Sequence, residues 1–332
     1  MPLTSGLIEY QAAQRPGWQA LNAASRLRKR LSPAPRDVRR LRSDIARLIE
    51  RAEQVDVRFT AVDAPVMSIV IPVFNNWSLT RRCLASIRLA GSLDLLEVIV
   101  VDDASTDVTK QALDDIRGIR VIRNDSNVGF TRAANRGAQA ARGRYTFFLN
   151  NDTAMLPGCV AALLEAMSDA SIGAAGARLV YPSGRLQAAG GVIWSDGTGW
   201  NIGHYRNPAL AEFSVRRDVD YCSAAALAIR TELLAELGYF DERFAPAYYE
   251  DTDLCFRVRA LGWRVVVEPE AMVVHWEGMT HGTERRRGLS GAHTKSNQGL
   301  NRVKFVEKWG AELTGHAMQR RSHAAQKQSA PR

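Results

Sequence analysis

Tyr145, Thr146, Phe147, Phe148, Leu149, Asn150, Asn151, Asp152 is a short apolar run that stops at three polar residues. A buried central strand delivers side chains to the rim of a sheet in this way. The run therefore reads as a strand from Tyr145 to Leu149 with Asp152 at its carboxyl end, where a carboxylate and two amides can hold a divalent cation.

The surrounding sequence repeats the pattern. Val66 to Val73 is a β-rich run ending in Pro72, Val73, Phe74, Asn75, and Leu79 to Leu89 follows with helical periodicity. Leu95 to Val101 is a second strand, ending in Asp102 and Asp103, with Ser105 or Thr106 placed to cap a helix reaching Ile116. Ile119 to Ile122 is a third strand, followed by Asn127, Val128, Gly129 and a helix over Thr131 to Ala141. After the Tyr145 strand, Pro157 suits the first turn of a helix running through Met167. Strand and helix alternate four times with short connections, which implies a parallel sheet covered on both faces. Ligands bind such sheets at the carboxyl ends of the strands, where Asn75, Asp103 and Asp152 converge.

Further along, Glu250 and Asp251 precede Leu254, Val258 and Leu261, which recur at helical spacing. Both acids thus fall in a helix first turn, where the dipole favours negative charge and a base gains a fixed position. His275 follows the apolar residues Met272, Val273 and Val274, with Trp276, Gly278 and His281 nearby. Between these elements Gly190 to Tyr205 reads as a loop holding Trp194, Trp200 and His204 among glycines.

The chain of 332 residues carries a net charge of +9, but unevenly. Residues 26–60 sum to +6 and residues 284–332 to +8, so the remainder is mildly acidic at about −5. Val38, Leu41, Ile45, Leu48 and Ile49 recur at helical spacing among arginines, an amphipathic basic helix that packs on the core or a partner, or meets an anionic membrane surface. Aromatic residues are not interleaved with the basic ones, which argues against nucleic acid. The chain divides into a basic, largely helical extension (1–64), a catalytic-sized α/β domain (65–283) and a basic helical segment and tail (284–332), with disorder expected from about Arg320 and Phe305, Val306 and Trp309 packing back on the core. Cys83, Cys159, Cys222 and Cys255 are scattered singly, as reduced core thiols. No apolar run nears the roughly 18–20 residues that span a bilayer, and no signal-peptide pattern opens the sequence, so a cytoplasmic location is expected, peripheral to the inner face of the membrane if the basic ends bind it. The absence of G-x-G-x-x-G after the first strand and of any G-x-x-x-x-G-K-S/T disfavours dinucleotide dehydrogenases and P-loop nucleotidases.

From Pro65 to His281 the chain resembles family 2 glycosyltransferases of the GT-A type, among the bacterial enzymes that build polysaccharides and O-antigens, rhamnosyltransferase-like members included. The resemblance rests on Ser68 to Asn75 (SIVIPVFN), Glu97 to Asp107 (EVIVVDDASTD), Asn127 to Gly137 (NVGFTRAANRG), Gly143 to Asp152 (GRYTFFLNND), Gly238 to Phe244 (GYFDERF) and Tyr249 to Arg257 (YEDTDLCFR), in the family's order. It implies a Rossmann-like, mostly parallel sheet covered by helices and an inverting transfer from a nucleotide-diphosphate sugar to a glycan or lipid-linked acceptor. Pro72, Phe74, Asn75, Asp102 and Asp103 would bind the donor, with Pro72, Phe74 and Asp103 at its pyrimidine nucleoside and Asp102 close behind. Asn151 and Asp152 resemble the family's D-x-D element, with Asp152 on Mg2+ or Mn2+ and Asn151 toward the ribose. Asp251 matches the general base with Glu250 beside it, and His275 matches a late histidine that completes the metal shell. Asparagines at both positions before Asp152 lower the negative charge at the metal. Trp194 and Trp200 offer aromatic faces to an acceptor sugar. A noncatalytic nucleotide- or glycan-binding protein, or a membrane-surface assembly protein on the same fold, is the alternative.

Overall fold

In a computed structural model of the chain, residues 36–277 and 289–317 are described, without the side chains of 289–296. The basic run Arg26 to Arg30, the residues Gly278 and His281, the 283/284 boundary and the tail from Arg320 lie outside them.

The alternating pattern folds as a mixed sheet. Strands β1 (Met67–Val73), β2 (Leu96–Asp102), β3 (Arg120–Arg123) and β4 (Tyr145–Leu149) are parallel in the order β3-β2-β1-β4. Every residue of β1, β2 and β4 is buried, which is why these strands read as continuous apolar runs rather than alternating ones. Their side chains still alternate between two layers: Ile69, Ile71 and Phe147 pack on one face of the sheet, Val70 and Phe148 on the other. Helices α1 (Arg36–Gln54), α2 (Trp77–Ala90), α3 (Thr109–Asp114), α4 (Phe130–Gln139) and α5 (Cys159–Ser168) supply the covering. Helix α4 can approach closely because it presents Ala133, Ala134 and Gly137, and a Cβ on Gly137 would stand 2.4 Å from Val70 Cγ1.

Beyond β4 the sheet turns mixed. Strand β5 (Thr153–Met155) follows the rim directly, then β6 (Ile172–Val180), β7 (Leu186–Ala188), the hairpin β8 (Gly191–Ile193) and β9 (Gly199–Asn201), β10 (Arg217–Asp218), β11 (Ala226–Arg230), helices α6 (Thr231–Glu236) and α7 (Glu250–Ala260), the long strand β12 (Arg264–His275) and helix α8 (Leu289–Leu313). Strand β11 lies antiparallel between β4 and β6, and β12 runs parallel to β6.

Several local expectations shift. Neither Ser105 nor Thr106 caps α3; Asp107 Oδ1 accepts from the Thr109 amide at 2.9 Å, while Ser105 and Thr106 bond to Asn75. Pro157 precedes the Gly158 that opens α5, so it stands before the helix rather than in its first turn. The glycine-rich stretch around Trp200 is not a plain loop but the β8–β9 hairpin. The apolar stripe of α1 is turned inward: Val38, Ile45, Leu48 and Ala52 are buried, and Arg81 of α2 closes the helix by donating to the carbonyls of Ala52, Glu53 and Val55 at 2.9, 3.2 and 3.3 Å. That stripe is consumed by the protein core and is not offered to a bilayer. Phe305 and Trp309 are buried as expected, as are all four cysteines, whose thiols burial pushes up. Among the described residues no helix is long and apolar enough to cross a membrane.

Candidate active site

The carboxyl ends of β1, β2 and β4 open into a cavity of about 1400 Å³. Pro72 and Phe74 line it from the end of β1 and Asp103 from the end of β2. The Asp103 carboxylate is a loop organiser: Oδ1 accepts from Asn124 Nδ2 at 2.7 Å and the Val128 amide at 2.9 Å, and Oδ2 from the Gly129 amide at 2.9 Å. Gly129 has φ +84° and a Cβ there would stand 2.6 Å from Pro246 Cβ, so only glycine fits. Asp102 stands behind Asp103, as expected, with Oδ1 accepting from the Ser105 amide at 2.9 Å and Oδ2 3.7 Å from Arg123 Nε; it does not border the cavity. Asn75, in the left-handed region at φ +56°, ties two rim loops together. Its Oδ1 accepts from the Thr106 and Asp107 amides at 2.7 and 3.2 Å, and it too lies off the cavity wall.

At the end of β4, Asn151 Nδ2 donates to Thr80 Oγ1 at 3.0 Å, and Asn150 lines the cavity while its buried Oδ1 has no partner among the described residues. Asp152 Oδ1 lies 3.3 Å from His275 Nε2. Strand pairing produces this approach: β5 runs antiparallel to β12 with Thr153 opposite His275, and the Trp276 amide donates to the Asp152 carbonyl at 2.9 Å. The other imidazole nitrogen, Nδ1, is 3.1 Å from Gln187 Oε1. An amide oxygen only accepts, so the Gln187 contact assigns the proton to Nδ1 and turns Nε2 toward the carboxylate. Burial alone would lower the His275 pKa, but the Asp152 carboxylate overrides it and holds it raised. An imidazole nitrogen and a carboxylate oxygen this close fit a divalent cation of borderline hardness, which would take the place of the proton they otherwise share. Among the described residues no group of three or more His, Cys, Asp or Glu could hold a metal, so the remaining positions would fall to phosphate oxygens and water.

The third element is the first turn of α7. Tyr248 and Tyr249 both have positive φ, at 79° and 72°, and this reversal aims Glu250 and Asp251 into the cavity. Asp251 Oδ2 accepts from the Ala224 amide at 3.1 Å and Oδ1 from the Thr252 amide at 2.7 Å. Burial nevertheless raises its pKa above the usual carboxylate range. Glu250 is raised further, by burial and then by the neighbouring Asp251 charge, and its Oε2 has no partner among the described residues. The environment thus separates two adjacent carboxyls, Asp251 hydrogen-bonded to two backbone amides and Glu250 biased further toward its protonated form. Helix α8 braces the turn from outside: Asn301 Nδ2 donates to the carbonyls of Phe244, Ala247 and Tyr248 at 2.7, 3.0 and 2.9 Å, and Trp309 Nε1 to Asp253 Oδ1 at 2.8 Å.

Of the two tryptophans, Trp200 lines the cavity, whereas Trp194 does not and its buried Nε1 has no partner among the described residues. Gln187 and Asn301 were not legible beforehand, because nothing in their local sequence marks a polar residue that meets the site through another element. Tyr181 and Tyr205, which also line the cavity, were hidden by the same lack of signal.

The Glycosyl transferase family 2 model matches residues 68–238, stopping short of Asp251 and His275. A Mycobacterium tuberculosis N-acetylglucosaminyl-diphospho-decaprenol L-rhamnosyltransferase is 30% identical over 259 residues, covering 70% of this chain and 82% of that protein. The O-antigen biosynthesis protein RfbC of Myxococcus xanthus is 29% identical over 257 residues, covering 72% of this chain and 20% of the relative. An uncharacterized protein, y4gI, of Sinorhizobium fredii is 29% identical over 231 residues, covering 66% of this chain. The chain spans 25% of that relative's length. Among solved structures, GalNAc-T7 with UDP, GalNAc and Mn2+ superposes with a TM-score of 0.60 at 19% identity, over 75% of this chain and 50% of that one. The mannosyltransferase PcManGT of Pyrobaculum calidifontis, with GDP-Man and Mn2+, gives 0.54 at 16% identity over 83% of this chain and 80% of that one. These structures share the GT-A fold of mixed, mostly parallel sheet and covering helices.

Proposed function

As the chain belongs to glycosyltransferase family 2, we propose that it moves a sugar, with inversion, from a UDP- or dTDP-sugar to a hydroxyl of a glycan or lipid-linked acceptor in cell-surface polysaccharide synthesis, on the cytoplasmic side of the membrane. The observation that carries this reading is the convergence of the Asp152–His275 pair and Asp251 on one cavity. Rhamnose transfer is the favoured specificity, on the strength of the rhamnosyltransferase relative.

Pro72 and Phe74 would seat the pyrimidine, with the loop held by Asp103 closing over it. Asp152 and His275 would hold Mg2+ or Mn2+, which when bound neutralises the departing diphosphate. Asp251 would take the proton of the acceptor hydroxyl as that oxygen bonds to the anomeric carbon. The bond from that carbon to the diphosphate breaks on the opposite face, and its electron pair leaves with the diphosphate. Glu250, biased by burial toward its protonated form, would in that form donate a hydrogen bond into the site without competing for that proton. A positioned base contributes roughly 10² to 10⁴ in rate.

The test is the thermal unfolding midpoint with UDP, dTDP, GDP and NAD, each with and without manganese, for wild type and Asp152→Ala. A ligand at about 100 times its Kd adds roughly 2.7 kcal/mol of stability. A manganese-dependent shift with a pyrimidine diphosphate, lost in Asp152→Ala, is the expected result. No shift with any nucleotide would overturn the proposal.

A further inference from the structure

The cavity of about 1400 Å³ is larger than the roughly 300–1,000 Å³ of a site for one small molecule. Its far wall lies well away from the nucleoside end. Tyr181 follows directly on β6, and the sheet order β1-β4-β11-β6 puts that strand three places from β1. At about 4.8 Å per strand, the two ends are roughly 14 Å apart. Strand β6 points the same way as β4, since β11 is antiparallel to both, so Tyr181 emerges on the same rim as Asp152.

An ordered aromatic cluster stands at that end. The rings of Tyr181 and Tyr205 stack with centroids 5.0 Å apart and planes 20° from parallel, and His204 lies 4.4 Å from Tyr205. Tyr181 Oη donates to Glu277 Oε2 at 2.9 Å, and burial and that carboxylate both push the phenol's pKa up. Its one proton is thus committed, and His204 Nε2, 2.9 Å from the phenol oxygen, must be the donor in their contact. Tyr205 adopts φ +61°, a conformation uncommon for a residue with a Cβ, and is held there by its amide's 2.7 Å bond to the Leu186 carbonyl. Its ring is backed on one side by Tyr181 and remains 37% exposed.

All four residues line the cavity, and the donor-side roles assigned above use none of them. A fixed aromatic face edged by a carboxylate and an imidazole matches a pyranose, whose C–H face packs on a ring while its equatorial hydroxyls reach polar groups. We propose that Tyr205, backed by Tyr181 and flanked by His204 and Glu277, is the subsite that seats a pyranose ring of the acceptor. Only the word acceptor rests on the transferase reading; capture of a pyranose does not.

The experiment is saturation-transfer NMR and titration with the methyl glycosides of glucose, galactose, N-acetylglucosamine and rhamnose, against wild type, Tyr205→Ala, Tyr205→Phe and Glu277→Gln. Binding of whichever pyrimidine diphosphate stabilises the wild type is measured on the same samples and also reports their folding. At least one glycoside should bind the wild type, weaken about 10-fold in Tyr205→Ala and Glu277→Gln, and recover in Tyr205→Phe, with nucleotide affinity unchanged in both Tyr205 variants. The subsite is overturned if none of the four glycosides binds, if Tyr205→Ala binds them as well as wild type, or if nucleotide affinity falls in step with glycoside affinity. Glycoside capture through Tyr205 without any nucleotide binding would sink the transferase reading and leave the subsite standing.

Discussion

Gln187 holds the Nδ1 proton of His275, 3.1 Å from its amide oxygen, and thereby decides which nitrogen the imidazole presents to Asp152. Outer partners of this kind are worth about 10–100-fold in metal affinity. Gln187→Leu should therefore raise the manganese concentration for half-maximal stabilisation by nucleotide about 10-fold or more. Nucleotide binding without metal should stay the same. A titration in which the two proteins need equal manganese would remove Gln187 from the site.

Asp251 is raised by burial, so its basic form gives way at a higher pH than an ordinary aspartate's. Turnover should rise with pH through that raised pKa and then level. Asp251→Asn should lose roughly 10² to 10⁴ of kcat with donor affinity intact. A profile of kcat against pH that is flat down to the ordinary aspartate range would contradict the assignment.

Glu250 makes a separate prediction for stability. Its folded-state pKa lies well above 4.5, so the folded protein binds a proton that the unfolded chain releases. Its contribution is fully present below about pH 4.5 and is lost as pH rises through the folded value. Glu250→Gln should match wild type in acid and become progressively the more stable protein as pH rises. Unfolding midpoints that stay parallel across the pH range would rule this out.

Asn301 is buried and serves three carbonyls of the segment before α7. Asn301→Leu leaves those acceptors unpaired, at roughly 1–3 kcal/mol for each that water cannot reach. Urea unfolding should register that loss. Because the segment aims Asp251, kcat should fall more than the affinity for donor nucleotide. An equal loss in both would show Asn301 to be scaffold alone.

Strands β1 to β4, their parallel order of travel, the rim positions of Asp103 and Asp152 and the place of Asp251 in a helix first turn were legible in the sequence. Strands β1, β2 and β4 are written locally: buried on both faces, they are unbroken apolar runs whose carboxyl ends are marked by the polar residues that stop them. The direction of the α1 stripe was not settled, since periodicity shows that a helix has an apolar face but not what covers it. Asn75 and Asp102 stood at the expected rim, yet only the folded loops show their side chains spent on the Ser105 to Asp107 turn.

What tertiary structure alone decided are the meetings between distant segments. Asp152 reaches His275 because β5, too short to announce itself, pairs with the far end of β12. The brace from α8 and the stacked ring of Tyr205 likewise join segments that are far apart in the chain. A sequence records which side of each element is buried, whereas the partner on that side is selected by chain reversal and packing over long separations, which leave no local period.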